Sequence, residues 1–112
     1  MRTVLEHSPA VHRVQQFEHR LNGTVEQFKA VALLIDGSRL HINEVHLHGR
    51  LHKYAYYWLT PTGALIIGWD NAPHHPQIPL HPSHQHDDQG VSATTVRSLA
   101  DALAEIERRL GV

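Results

Sequence analysis

At 112 residues and 41% hydrophobic content the chain is long enough to close one core without cross-links, and it reads as a single domain over 1–112. Ten Lys plus Arg against eleven Asp plus Glu leave a formal net charge of −1, which excludes a protein held to nucleic acid by bulk positive charge. The absence of cysteine excludes disulfides and thiolate zinc sites and is compatible with a cytoplasmic location. Neither the N-terminal residues nor the apolar run Val31 to Ile35 has the length of a signal peptide core or a membrane span, so no membrane partner is expected.

In chain order, Ser8 and Pro9 resemble an N-cap and first-turn pair, and Ala10, Val14, Phe17 and Leu21 recur at helical spacing up to Asn22-Gly23, predicting an amphipathic helix. From Thr24 to Asn71 the pattern changes to β-branched and aromatic runs separated by turn signals at Asp36-Gly37, Gly49-Arg50 and Thr62-Gly63, predicting four strands joined by hairpins. No regular pattern runs from Asn71 to about Val91. Beyond it, Val96, Leu99, Leu103, Ile106 and Leu110 share one face of a second helix ended by Gly111. The expected fold is α+β, a four-stranded antiparallel meander with N-terminal and C-terminal helices in the order α-β-β-β-β-α. An uncovered edge strand in such a sheet would allow a homodimer.

Taking each turn as a two-residue loop sets the register, because directly opposed residues share a face. One face then collects Val31, Leu33, Leu40, Ile42, Tyr57, Leu59 and Ile66, with Lys29 opposite Glu44. The other collects Phe28, His41, Asn43, Val45, Tyr54, Tyr56, Trp58, Ile67 and Trp69. Aromatic residues at strand spacing pack a core more often than they line a groove, although Tyr and Trp carry a polar end suited to either.

Five of the twelve histidines, His74, His75, His81, His84 and His86, fall within thirteen residues after the fourth strand. Imidazole titrates near neutral pH, so such a cluster suits proton transfer, metal binding or pH-dependent charge. Asp70 and Asn71 close the strand, and Pro73, Pro76, Pro79 and Pro82 stiffen the segment after it. Three chemistries fit. In the first, paired histidines act as acid and base on a phosphodiester while Arg50, Lys53, Tyr54 and Tyr56 supply cationic or hydrogen-bonding contacts, with no metal or other cofactor. In the second, His81, His84 and His86 with Asp87, Asp88 or the His74-His75 pair hold a metal for hydrolysis, although this spacing matches no structural zinc pattern. In the third, the polar groups only shape and dock the loop, and the aromatic face or sheet edge serves a non-catalytic protein interaction.

The run Tyr54-Ala55-Tyr56-Tyr57-Trp58, then Gly63 to Ile67, then Trp69-Asp70-Asn71-Ala72-Pro73-His74-His75-Pro76 and Pro82-Ser83-His84-Gln85-His86, resembles the TumE family. The resemblance covers most of the chain. It implies a toxin of a bacterial toxin–antitoxin pair, encoded beside a helix-turn-helix antitoxin, with RNA as the candidate target. On that basis the expected catalytic residues are His74, His75, Asp70 and Asn71, and the expected substrate contacts are Tyr54, Tyr56, His84, His86, Arg50 and Lys53. Tyr57 and Ser83 stand where the family pattern leads us to expect histidines.

Overall fold

A computed structural model describes residues 1–72 and 83–112. The chain forms one seven-stranded antiparallel sheet in which every strand pairs with its sequence neighbours: β1 (Val11–Asn22), β2 (Val25–Leu34), β3 (Arg39–Leu47), β4 (Arg50–Leu59), β5 (Leu65–Asp70), β6 (His84–Asp87) and β7 (Gly90–Ala93). A short helix α1 (Arg2–His7) precedes the sheet and α2 (Leu99–Leu110) follows it. The α+β class and the helices at both ends stand. The four-stranded sheet does not: the meander is extended by one strand before the four central ones and two after them.

The expected N-terminal helix from Ser8 to Leu21 is instead the end of α1 at Ser8, a turn and, from Val11 on, strand β1, and its misleading spacing has a physical origin. The pairing of β1 with β2 shifts register between Val11 and Arg13 and again between Val14 and Gln16. Each bulge inserts one residue, so the inward positions recur every three residues, at Val11, Val14 and Phe17, instead of every two. Three is close enough to the helical 3.6 to imitate it. Asn22-Gly23 is accordingly not a helix stop but the start of a hairpin turn, with Gly23 at φ 61°. Ser8 caps the C-terminal end of α1, and its Oγ donates to Glu107 Oε2 at 2.7 Å, tying α1 to α2.

Loop lengths also move the registers. The β2–β3 connection turns through Ile35 to Gly37, so Ala30 faces Ile42 and Phe28, not Lys29, faces Glu44. The β3–β4 loop is His48-Gly49, with φ of 51° and 77° as a type I′ turn requires, and a bulge follows at Val45/His46. Together they put Leu40, Ile42 and Glu44 on the same face as Tyr54, Tyr56 and Trp58. The β4–β5 register agrees with the sequence expectation, Tyr56 opposite Trp69 and Trp58 opposite Ile67.

Both helices pack on this face. Leu5 of α1 and Leu99, Ala102, Leu103 and Ile106 of α2 join Ala30, Leu40, Tyr56, Trp58 and Trp69 in one buried cluster. Polar groups within it are satisfied. Trp58 Nε1 donates to Ser38 Oγ at 2.8 Å, and the buried Glu44 carboxylate accepts from Tyr56 at 2.6 Å and contacts His46 Nε2 at 2.8 Å. The predicted C-terminal helix is present, capped by the Ser98 hydroxyl and ended by Gly111 at φ 73°. The opposite face of the sheet carries neither helix.

Candidate functional site

Strand alternation places two rows of residues on the helix-free face. Lys29, Asn43, Ala55, Asp70 and His84 oppose one another across β2 to β6, and Val31, His41, Tyr57, Gly68 and His86 form the adjacent row. The chemistry gathers where the rows cross β5 and β6. Asp70 accepts four hydrogen bonds there. Its Oδ1 lies 2.6 Å from His84 Nε2 and 3.1 Å from the Ala72 amide, and its Oδ2 lies 3.0 Å from the Tyr57 hydroxyl and 3.1 Å from His86 Nε2. Because a carboxylate has about four acceptor positions, the group is saturated and its two oxygens each orient one imidazole.

The two histidines differ in access. His84 is 2% exposed, whereas the His86 side chain is 29% exposed, and their rings meet edge to face at 4.7 Å. Of the two, His86 offers the substantial surface to solvent; His84 is built into the support of Asp70. Strand β6 carries no strand signature in the sequence because its outward residues are these polar site histidines, while its inward Gln85 is polar too and accepts from Trp69 Nε1 at 2.9 Å.

Tyr57 reaches Asp70 because Gly68 lacks a side chain. A β-carbon built on Gly68 would stand 2.5 Å from Tyr57 Cε1 and closer still to Cδ1, so the phenol ring occupies the space a side chain would fill. Neither residue is among the sequence candidates. The available signal is a lone glycine inside a strand pattern, directly opposite a tyrosine in the one register the turns predict correctly. Burial raises the Tyr57 pKa to about 12, with its hydrogen bond to Asp70 and the negative charge there acting in the same direction. A folded-state value above the ordinary 10 means that the associated stability is full below pH 10 and is lost as pH rises through about 12. The ultraviolet difference titration between wild type and Tyr57→Phe should therefore show a phenolate appearing near pH 12. Ionisation near pH 10 would contradict the contact.

Tyr54 and Tyr56, expected as substrate contacts, are instead buried, stacked on each other at 5.2 Å beneath the helices. Their hydroxyls donate to Ser83 Oγ at 2.7 Å and to Glu44, and burial is the first cause raising both phenols. Asn71 ties the end of β5 to β4, accepting from the Tyr54 amide at 3.0 Å and donating to the His52 carbonyl at 3.0 Å. Lys53 is exposed and lines a cleft of about 220 Å³ with Asn43, Tyr57, Asp70 and Asn71. Arg50 is exposed at the far end of β4, opposite Leu47, and is not brought to Asp70. His74, His75 and His81 lie outside the described residues. Asp87 and Asp88 sit in and after the end of β6, and neither joins the Asp70 cluster.

Among the described residues, Asp70, His84 and His86 are the group whose ligand atoms converge, all within 4.8 Å of one another. A divalent ion there would displace hydrogen bonds that now fill the carboxylate. As hydrogen-bonded, the carboxylate holds the Nε2 side of each imidazole and thereby its tautomer and ring orientation. No helix among the described residues is long and apolar enough to cross a membrane. A family model described as toxin TumE matches residues 1–110 of the 112-residue chain. No curated protein and no solved structure matches it.

Proposed function

The chain belongs to the TumE toxin family, and from that premise we propose that it inhibits growth by cleaving RNA through metal-independent acid–base chemistry at Asp70 and His86. The observation that supports this reading is the convergence of His84, His86, Tyr57 and the Ala72 amide on the one Asp70 carboxylate, on the face the helices leave open. A toxin family implies an antitoxin partner, and a helix-turn-helix protein encoded nearby is the candidate.

In the reaction, a base takes the proton of a ribose 2′-hydroxyl, whose oxygen attacks the adjacent phosphorus. The bond from phosphorus to the 5′-oxygen breaks, and an acid protonates that leaving oxygen, giving a 2′,3′-cyclic phosphate and a 5′-hydroxyl. His86 is the exposed group for one of these transfers. The second falls to His74 or His75, the histidine pair closest in sequence to Asp70. Asp70 orients His86 and offsets its charge when protonated, while His84 and Tyr57 are positioning residues that hold Asp70.

Induced expression in a bacterial host tests the reading. Wild type should arrest growth, co-expression with the adjacent antitoxin should restore it, and His86→Ala should be harmless at equal protein level. Growth arrest by His86→Ala equal to that by wild type would overturn the assignment of His86. No arrest by wild type would overturn the toxin activity of this chain.

A further inference from the structure

We propose that the helix-free face of the sheet binds a single strand of RNA along a trough that runs across β2 to β5 and delivers it to His86; this rests on RNA being the target of the Asp70 site. Two clefts lie on that face, one of about 390 Å³ over β1 to β4 and one of about 220 Å³ over β3 to β5. They share Asn43, Ala55 and Tyr57, so they form one continuous depression ending at Asp70. The depth comes from sequence. Ala55 is small, and Gly68 contributes no side chain beside the Tyr57 ring.

The lining fits one extended strand. The two residue rows are two positions apart along each β-strand, roughly 7 Å, which accommodates one sugar–phosphate backbone. Duplex RNA is instead gripped across a wide minor groove through contacts to both strands. Lys29 and Lys53 flank the depression as exposed cations, one toward each end. Its carboxylates are Glu18, which stands on β1 directly opposite Lys29, and Asp70, whose charge is already engaged by four donors. Lys53 therefore supplies the cationic site at the Asp70 end, while Lys29 borders the other end with Glu18 on its outer, β1 side. Asn43 offers an amide for base edges, and the Tyr57 ring, common to both clefts, offers a stacking surface that accepts any base. A near-neutral protein can bind a polyanion this way because the contacts are local and few.

The test uses the full chain and a fluorescent, fully 2′-O-methylated single-stranded RNA, which cannot undergo attack by the 2′-oxygen, with binding followed by anisotropy against salt. Lys29→Gln/Lys53→Gln should weaken binding at least about tenfold and should reduce the slope of log affinity against log salt by about 1.4, the value for two phosphate contacts on a single strand. Tyr57→Ala should weaken it at least about fivefold, and clearly more than Tyr57→Phe, which keeps the ring. Unchanged affinity and slope in the double lysine variant would overturn the trough, as would equal affinity for the same sequence as a duplex. If unmodified RNA is cleaved while the lysine variant binds normally, the trough falls and the cleavage reading stands. If the strand binds with these dependencies and unmodified RNA stays intact, the trough stands and the cleavage reading falls.

Discussion

Asp70→Asn should abolish growth arrest and lower the rate of RNA cleavage by at least about 100-fold, the lower range for a misplaced acid–base group. The substitution keeps shape and volume but replaces one acceptor oxygen with an NH2 donor. Whichever way the amide turns, that donor faces two others: His84 Nε2 and the Ala72 amide on one side, or the Tyr57 hydroxyl and His86 Nε2 on the other. Where the donor turns toward His84, which is 2% exposed, that bond is not regained from bulk water. Such an unmatched buried group costs about 1–3 kcal/mol, so the variant should also melt several degrees lower in calorimetry. Full activity in Asp70→Asn at wild-type stability would show that the carboxylate neither orients the histidines nor holds the strand end.

The second large effect is expected at Gly68. Its φ is not in the left-handed region, so the backbone itself would accept alanine. The obstacle is the Tyr57 ring, which the new β-carbon would meet at 2.5 Å or less. Either the ring swings away, breaking its 3.0 Å contact with Asp70, or β4 and β5 separate, and overpacking of this kind costs about 1–3 kcal/mol. Gly68→Ala should therefore lose stability and most activity. The decisive comparison is a double-mutant cycle: with Tyr57→Ala already present the ring is gone, and Gly68→Ala should then add little. An equal penalty in both backgrounds would place the effect in the strand itself and not in the tyrosine.

The elements legible in the sequence are those whose residues have one job. Strands β2 to β5 alternate cleanly between punctuating turns, and α2 carries an apolar stripe between a serine cap and a terminal glycine. Strand β1 imitates a helix because two bulges convert its inward spacing from two to three. Strands β6 and β7 leave no strand pattern because β6 carries His84, Gln85 and His86, whose side chains serve the site and a tryptophan instead of an apolar core. The sequence identifies Asp70 as the anchor that closes β5 and groups His84 and His86 with it, yet does not show the pairing that joins them. The pairing of β6 beside β5, which no local pattern announces, is what brings His84 and His86 to it. The sequence places Tyr57 in an aliphatic core because the two-residue β3–β4 turn falls at His48-Gly49, one residue before the expected Gly49-Arg50, and the bulge at Val45/His46 leaves a net shift of one residue, which exchanges the faces.

A division of labour along β4 arises from the same alternation. Tyr54, Tyr56 and Trp58 point inward and pack under the helices, whereas Ala55 and Tyr57 point outward and shape the open face. Consecutive residues of one aromatic run thus serve the core and the candidate site in turn. The net charge of −1 describes the whole chain and says little about this face, where Lys29 and Lys53 border a depression whose nearer carboxylate is engaged by four donors.

The most direct measurement incubates the purified protein with unmodified single-stranded RNA in excess chelator and identifies the ends of the products. Acid–base cleavage at His86 should give fragments ending in 2′,3′-cyclic phosphate and 5′-hydroxyl, formed at least about 100-fold more slowly by His86→Ala. RNA that stays intact, cleavage that requires an added divalent ion, or an undiminished rate in His86→Ala would contradict it.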